Sequence, residues 1–271
     1  MDDLVTLVLG ATGSVGGRVA ARLHDLGEPV RAASRHAGTR FDWADDTSWE
    51  PALAGAGRLF LMAPDGVDVD PAFVRLAADM KVGRVVLLSS RGIEAMRDER
   101  LLGAERLVRD SGLDWTIVRS DWFDQNFDEG PFRDAVLAGE LSVPLADCRQ
   151  TFVDLEDVAE VVVRALRDAD HTGHTYEVTG PQALSFDQAC ALIAAATGRP
   201  VTFHGSPEHY RRSQTALGRP AEEVDVEIEA FAALRELGDS EPRDTVARLT
   251  GRPARTFEQY AAAAAAAGRW R

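Results

Sequence analysis

A run of apolar residues that leads directly into a glycine-rich turn constrains the fold of this chain more than any other feature. Residues 4–9 have no polar face, as expected for a parallel strand covered by helices on both sides. Three glycines follow, spaced to allow a tight turn, the approach of a pyrophosphate to the backbone and close packing of a helix on the strand. A purely structural turn is the alternative. The pattern predicts a dinucleotide-binding strand–turn–helix, with cofactor contacts at Gly10, Thr12, Gly13, Ser14, Val15 and Gly16.

Short β-branched runs alternate with helical patterns through the first half of the chain. The runs predict strands over residues 4–9, 29–34, 39–42, 58–63, 84–90 and 114–119. Helices are predicted over residues 15–26, 71–80 and 94–110. Because parallel strands joined by helices form right-handed crossovers, the alternation predicts an α/β fold of the Rossmann type with a doubly wound parallel sheet.

After residue 120 the alternation is less regular. Further strands are predicted over residues 151–153 and 175–178, and further helices from the Asp154 cap to residue 167 and over residues 185–196, 207–238 and 256–267. We expect a single domain over residues 1–271. Its dinucleotide-binding core would comprise mainly residues 1–120 and 151–180, and a smaller, mainly helical substrate lobe would comprise residues 121–150 and 181–271.

The end of the second predicted strand indicates which dinucleotide binds. A site for NAD usually places an acidic residue there, on the ribose 2′-hydroxyl, whereas this strand ends in Ser34-Arg35. Arg35 can pair with a 2′-phosphate and Ser34 can hydrogen-bond to it, so NADP(H) is the preferred cofactor and NAD(H) the alternative. Asp42, at the end of the third strand, could reach the adenine amino group or stay solvated.

The fourth and fifth predicted strands end where a nicotinamide is expected. The crevice of such a sheet lies at the carboxyl ends of its strands, which places Ala63, Ser89 and Arg91 among the cofactor contacts and Ser90 beside them. Arg91 could orient the carboxamide or a substrate anion. A structural salt bridge is the alternative for this arginine.

Composition excludes several classes of protein. Thirty Lys and Arg against 44 Asp and Glu give a net charge of −14, which disfavours binding to nucleic acid or an anionic membrane. Cys148 and Cys190 have no metal-ligand or redox spacing, so we expect no metal site and a reducing, cytoplasmic location. No apolar run is long enough for a membrane helix. A monomer and a homodimer both remain open.

Several motifs together resemble the NmrA-like family of atypical short-chain dehydrogenases/reductases. They are Leu9-Gly10-Ala11-Thr12-Gly13-Ser14-Val15-Gly16, Val86-Leu87-Leu88-Ser89-Ser90, Asp114-Trp115-Thr116-Ile117-Val118-Arg119, Trp122-Phe123-Asp124-Gln125-Asn126-Phe127 and Phe152-Val153-Asp154-Leu155-Glu156-Asp157-Val158-Ala159. The resemblance spans residues 4–260, and Asp121-Trp122-Phe123 is similar to the festuclavine/agroclavine dehydrogenase branch. Relatives in this family include quinone oxidoreductases, triphenylmethane reductase and a negative regulator. The resemblance implies NAD(P)H binding and reductase activity.

The proton-donating pair of ordinary short-chain dehydrogenases is missing. In that Tyr-x-x-x-Lys pair the ammonium lowers the tyrosine pKa, but no tyrosine of this chain is followed four residues later by lysine. By the resemblance, the two positions fall on Leu101 and Glu105. Three explanations remain open. The substrate needs no proton from the protein, another group such as Asp121, Asp124 or Ser90 donates it, or the protein binds the dinucleotide without chemistry.

The segment after the sixth strand interleaves aromatic and acidic residues, which suits a flat or cationic substrate. Trp122, Phe123 and Asn126 are the predicted substrate contacts, and Asp121 and Ser90 the predicted catalytic residues; the alternative is that the aromatics only pack the lobe on the sheet. The sequence predicts an NADP(H)-dependent oxidoreductase that transfers hydride to a small aromatic, quinone or iminium-type metabolite. A non-catalytic NADP(H)-binding redox sensor, or a non-redox isomerase, is the alternative.

Overall fold

The computed structural model describes residues 4–271 of the chain. Its strands are β1 Val5–Leu9, β2 Val30–Ser34, β3 Thr39–Arg40, β4 Ala56–Leu61, β5 Arg84–Ser90, β6 Asp114–Ser120, β7 Glu140–Ser142, β8 His174–Val178 and β9 Thr202–His204. Its α-helices are α1 Ser14–Asp25, α2 Trp49–Leu53, α3 Pro71–Asp79, α4 Glu99–Arg109, α5 Arg133–Ala138, α6 Leu155–Arg167, α7 Phe186–Thr197, α8 Pro207–Ala216, α9 Ala221–Leu237, α10 Thr245–Thr250 and α11 Phe257–Ala266. No helix within this described range is long and apolar enough to cross a membrane.

The central sheet has seven strands in the order β3-β2-β1-β4-β5-β6-β8, and all its pairings are parallel. The strand order reverses beside β1, where the chain crosses from the β2 side of the sheet to β4. A crevice for ligands forms at such a reversal, outside the carboxyl ends of the strands. The predicted doubly wound parallel sheet of the Rossmann type is confirmed.

Helices cover the sheet on both faces, which explains why β1 has no polar face. Leu7 and Leu9 pack on one face in a cluster with Phe73, whereas Val8 packs on the other face with Val19 and Val162. All six side chains are fully buried. Such complete burial on alternating faces favours a continuous apolar run over an alternating one.

Beyond the sheet, a third apolar cluster fills the lobe. It joins Phe127, Phe152 and Phe186 to residues of the terminal helix, including Phe257 and Tyr260. The short parallel pair of β7 and β9 borders this lobe, and neither strand was predicted, because three residues are too few to show a period.

Three predicted elements differ in the structure. Residues 151–153 form no strand of the sheet; Val153 makes a single bridge with Phe123, and the Asp154 cap starts α6 at the next residue. The helix predicted over residues 207–238 is interrupted between α8 and α9, where Gly218 has a φ of +81° and Pro220 lacks an N–H. The helix predicted from residue 94 begins only at Glu99, because residues 91–97 form turns.

Both cysteines are buried thiols. Burial raises the pKa of Cys190 to about 12 and also raises the pKa of Cys148. A thiol that holds its proton at neutral pH is a weak nucleophile, so both behave as apolar side chains. No group of His, Cys, Asp and Glu among residues 4–271 is arranged to hold a metal ion.

Candidate functional site

The glycine turn joins β1 to α1 and leaves the first turn of the helix uncapped. Gly10 has a φ of +65°, and its carbonyl accepts a hydrogen bond from Gly13 N at 2.8 Å. A Cβ on Gly16 would lie 2.4 Å from Gly10 O, so only glycine allows this approach. No described side chain caps α1, and Thr12 and Ser14 are exposed. The exposed turn and the positive end of the helix dipole fit a pyrophosphate.

Ion pairs fix α1 behind this turn. Arg18 pairs with Glu129 at 2.8 Å and with Glu156 at 3.1 Å, and Arg22 pairs with Glu156 at 2.9 Å. Glu156 belongs to α6, and Glu129 to the loop before α5, so the helix that would bind phosphate is tied to both. The side chain of Val15, the remaining predicted contact of the turn, is buried in the core, which leaves only its backbone for a cofactor.

The end of β2 offers a cation and no acid. Arg35 is exposed and forms no ion pair with any residue in the range 4–271, while Ser34 is buried and its Oγ accepts a hydrogen bond from His36 N at 3.1 Å. This arrangement suits a 2′-phosphate, which the guanidinium and the serine hydroxyl could both reach. Asp42 is half-buried, and its Oδ1 accepts a hydrogen bond from Ala44 N at 3.1 Å in a tight turn.

A buried ion pair joins the ends of β5 and β6. Arg91 Nη1 lies 2.9 Å from Asp121 Oδ2, and the same oxygen accepts hydrogen bonds from Ser240 Oγ at 3.1 Å and from Thr151 Oγ1. Asp121 Oδ1 accepts a hydrogen bond from Trp122 N at 2.8 Å. Arg91 therefore forms a structural salt bridge, which was the alternative to a cofactor or substrate contact. Both oxygens of Asp121 are engaged by protein donors, so a catalytic role for this residue would require these contacts to open.

Helix α4 carries a buried carboxylate. Glu105 is fully buried, and its oxygens accept hydrogen bonds from Arg119 at 2.7 Å, Ser89 Oγ at 2.7 Å and Arg109 at 2.8 Å. Burial by itself would raise the pKa of Glu105, but the hydrogen bonds from Arg119 and Ser89 outweigh it and hold the pKa below its ordinary value. Ser89 is thus fixed at the end of β5, and Glu105 is held as an ionised carboxylate by Arg119 and Arg109.

Ser90 and Ala63 lie at the carboxyl ends of their strands and are half-buried. Ser90 Oγ donates to the carbonyl of Arg91 at 3.2 Å and lies 3.5 Å from that of Ser120. Of the predicted catalytic residues, Ser90 therefore has the side chain whose contacts are weakest and most easily exchanged. Its role in catalysis stays a prediction.

Three phenylalanine rings contact Trp122. Phe132 stacks on it at 5.9 Å between centroids and an interplanar angle of 29°, and Phe231 stacks on it at 6.1 Å and 13°. Phe186 forms a T-shaped contact with it at 5.4 Å. The indole is half-buried.

The two other predicted substrate residues differ in their surroundings. Phe123 packs against the core on the α1 and α6 side of the sheet and bridges Val153, as in the packing alternative. Asn126 is half-buried, and its side-chain amide has no hydrogen-bond partner among residues 4–271. Asn126 therefore presents polar atoms that a substrate could use.

Asp124, the third acid considered as a proton donor, is fully buried. Neither of its carboxylate oxygens has a hydrogen-bond partner in the described structure. Burial, together with the charges of Asp154, Asp157 and Asp128, raises the pKa of Asp124 well above its ordinary value. Full burial also separates the carboxyl group from any substrate in this arrangement.

A cavity of about 620 Å³ opens in the lobe, lined by Ala146, Asp147, Ser185, Asp187, Phe203, Gly205, Ser206, Pro207 and Arg235. It shares no residue with the predicted cofactor or substrate contacts. Phe203, in the cavity wall, stacks on Phe186 at 6.0 Å, and Phe186 in turn contacts Trp122 at 5.4 Å.

Comparison with known proteins agrees on one family. A family model described as NAD(P)H-binding matches residues 10–169, and one described as NmrA-like matches residues 102–248. The chain is 34% identical to the oxidoreductase YesF of Bacillus subtilis over 96% of its own length and 95% of the relative's. It is 33% identical to the NAD(P)H azoreductase of Xenophilus azovorans, covering 96% and 98%. Identity to festuclavine synthase I of Penicillium roqueforti is 26%, covering 95% and 97%.

Solved structures share the fold. The NADPH complex of the quinone oxidoreductase QOR2 from Escherichia coli superposes with a TM-score of 0.79 at 20% identity, covering 96% of this chain and 99% of that one. The NADP complex of NmrA, a negative transcriptional regulator, superposes with a TM-score of 0.73 at 18% identity, covering 99% and 97%. Enzymes and a regulator therefore use this architecture.

We expect the buried Glu105 to be a major contributor to stability. Glu105→Gln leaves Arg119 without its buried carboxylate and should lower the free energy of unfolding by about 3 kcal/mol. Glu94→Gln is the matched control, because Glu94 pairs with the same arginine at 2.7 Å but is 58% exposed, and it should cost less than about 1 kcal/mol. Urea unfolding at pH 7 measures both, and equal losses would contradict the account.

The same carboxylate gives a pH dependence of defined sign. Because the folded pKa of Glu105 lies below its ordinary value of 4.5, its stabilisation is complete above that pH and disappears as the pH falls through the folded pKa. The stability difference between the wild type and Glu105→Gln should therefore shrink in acid.

Asp124 should have the opposite pH dependence. Its folded pKa lies above its ordinary value of 3.8, so its contribution to stability is complete below that pH and falls as the pH rises towards the folded pKa. Asp124→Asn needs no proton and should be more stable than the wild type by about 1.4 kcal/mol per pH unit in that window. Asp134→Asn, at a side chain that is 94% exposed, should change little. Thermal unfolding between pH 4 and pH 8 measures this, and a less stable Asp124→Asn at pH 8 would refute the interpretation.

Proposed function

Because the chain belongs to the NmrA-like family of NAD(P)H-binding proteins, we propose that it is an NADP(H)-dependent reductase that transfers hydride to a small aromatic, quinone or iminium-type compound. The family inferred from the motifs, with NAD(P)H binding and the oxidoreductase class, is confirmed. The uncapped first turn of α1 behind the glycine turn is the observation that carries the proposal, because its free amides are placed for a pyrophosphate.

The cofactor would lie along the carboxyl ends of β1, β2, β4 and β5. Gly10 and Gly13 would receive the pyrophosphate, and Arg35 with Ser34 the 2′-phosphate, which supports a preference for NADP(H) over NAD(H). Reduced nicotinamide supplies the hydride in such an enzyme. Ala63, Ser89, Arg91 and Asp42 are the remaining proposed cofactor neighbours.

The fate of the proton limits the substrate class. Leu101 stands at the position of the tyrosine and Glu105 is neutralised by Arg119, so neither side chain can donate a proton to the substrate. An iminium cation needs no proton, because addition of hydride to its carbon gives a neutral amine. A quinone accepts hydride to give a hydroquinone anion that solvent can protonate. Ketones, whose alkoxides need an acid, fit this site poorly.

The residues around the strand ends would orient the substrate. We assign Trp122 and Asn126 to its wall, Phe123 to anchoring this segment on the core, Ser90 to a direct hydrogen bond, and Asp121 to holding the strand ends through Arg91. The wall belongs to a substrate lobe of residues 121–150 and 181–271, set on the dinucleotide core. We propose that the protein is cytoplasmic, that it is a monomer or a homodimer, and that it acts on small molecules rather than nucleic acid. Its net charge of −14 and its free thiols support this proposal.

The second candidate is a redox sensor that binds NADP(H) without turnover. The engaged oxygens of Asp121 and the rings stacked on Trp122 favour it, because they leave few free polar groups beside the expected nicotinamide. A regulator with this fold binds NADP, as NmrA does.

Turnover separates the two candidates. The purified protein is mixed with NADPH and, in turn, a naphthoquinone, an azo dye, a triphenylmethane dye, a cyclic imine and a simple ketone, and the absorbance of the reduced nicotinamide is followed. The reductase predicts consumption of NADPH with a planar or cationic acceptor and little with a simple ketone. Tight NADPH binding with no turnover on any acceptor would replace the reductase by the sensor.

Arg35 should determine the choice of cofactor. Arg35→Ala removes a charged hydrogen bond to the 2′-phosphate and should weaken NADPH binding about 10- to 100-fold, while NADH binding changes less than about threefold. Arg40→Ala removes an exposed arginine from the neighbouring strand, where it pairs with Asp45, and should affect neither. Calorimetric titration measures the dissociation constants, and an equal loss for the two dinucleotides would overturn the assignment.

A further inference from the structure

Helix α9 lies over the proposed site but is attached to it by few contacts. Of its 17 residues only Val224 and Leu234 are buried. Leu234 packs so closely on the turn after β5 that a Cβ on Gly92 would lie 2.8 Å from it. Phe231, on the same helix, stacks on Trp122. These contacts place α9 over the carboxyl ends of β5 and β6, where the nicotinamide is expected.

The two rings that stack on Trp122 differ in their aromatic neighbours. Phe132 and Phe231 are both half-buried and both pack against the apolar cluster of the lobe. Phe132 also meets Phe127 at 5.3 Å and Phe186 at 5.7 Å, whereas the one other aromatic ring near Phe231 among residues 4–271 is Tyr210 of α8 at 5.7 Å. Phe231 is therefore the ring that can leave Trp122 with fewer aromatic contacts broken.

The chain on either side of α9 allows Phe231 to leave Trp122. Gly218 and Pro220 interrupt the helical hydrogen bonding before it, and Gly238 follows it with a φ of +79° and a ψ of −158°, a conformation essentially limited to glycine. Beyond Gly238 the chain is held again, because Ser240 N donates to Arg149 O at 2.9 Å and Ser240 Oγ donates to Asp121. Helix α9 therefore lies between two glycine-containing loops, and the second loop leads into a segment that hydrogen bonds hold in place.

We propose that Phe231 is a specificity-determining residue, which occupies the face of Trp122 that a planar substrate takes over. This inference rests on the proposed reductase and names its substrate class as compounds with a flat conjugated ring. A substrate with a flat ring can displace Phe231, because its own stacking on Trp122 is equivalent to the contact that is lost. A non-planar compound cannot form this stack, so Phe231 stays in place. Competition by Phe231 raises the KM of every substrate that uses this face.

Removing the competing ring tests the proposal. A stacked aromatic pair is worth about two- to twelvefold in an equilibrium constant, so Phe231→Ala should lower the KM for a naphthoquinone by that factor with little change in kcat. NADPH binding should stay the same. Phe231→Leu keeps an apolar side chain without a flat face and should also lower the KM. It serves as the second variant in case alanine destabilises α9. Val226→Ala is the control on the same helix, at a side chain that is 67% exposed.

A second readout does not depend on turnover. Equilibrium dialysis of the same naphthoquinone against the protein saturated with NADP⁺ should show tighter binding to Phe231→Ala than to the wild type. Hydrogen exchange of residues 221–237 should become faster when the quinone binds, because the ring displaces the helix contact.

The outcomes separate the inference from the proposed function. If the wild type consumes NADPH with quinones but Phe231→Ala leaves KM and binding unchanged or weakened, the role of Phe231 is refuted and the reductase stands. If no acceptor is reduced but the quinone binds more tightly to Phe231→Ala, the reductase fails and the competition for Trp122 stands. Slower exchange of residues 221–237 with the quinone bound would also contradict the proposal.

Discussion

The ion pair between Arg91 and Asp121 connects the parts of this protein on which the site depends. It joins the ends of β5 and β6, and through Thr151 and Ser240 it also holds the loop before α6 and the segment after α9. A buried ion pair is stable only when its remaining lone pairs and protons are satisfied, and here the hydroxyl groups of Thr151 and Ser240 supply those partners. The floor of the crevice is therefore a closed polar network, and substrate chemistry must be sought around it.

The same principle explains the buried carboxylates. Glu105 remains ionised because Arg119, Arg109 and Ser89 contact it, whereas Asp124 has no hydrogen-bond partner among residues 4–271 and burial raises its pKa. Burial acts on both groups in the same direction, and the hydrogen bonds decide the outcome. An ionised Glu105 has no proton to donate at neutral pH.

The sequence patterns predicted those features of the structure that local interactions determine. The glycine turn and β1 follow from backbone geometry and complete burial, and the caps of Asp154 and Ser185 from short-range hydrogen bonds to the next turn. Contacts between distant residues carry no local signal. Ser240 on Asp121 spans 119 positions, and the ring of Phe231 on Trp122 belongs to a helix whose sequence does not indicate which residue it will meet. The strand predicted over residues 151–153 failed for a related reason, because Val153 pairs for one residue before the Asp154 cap redirects the chain.

The central claim is that hydride reaches the substrate without a proton from a protein side chain. Single-turnover reduction of a naphthoquinone with NADPH deuterated at the transferred position, in H₂O and in D₂O, tests this claim most directly. We expect a primary isotope effect on the oxidation of NADPH, no solvent isotope effect and a rate that does not vary between pH 6 and pH 9. A solvent isotope effect on the same step, with a rate that falls as one group loses its proton, would show a protein acid in the transition state and contradict the account.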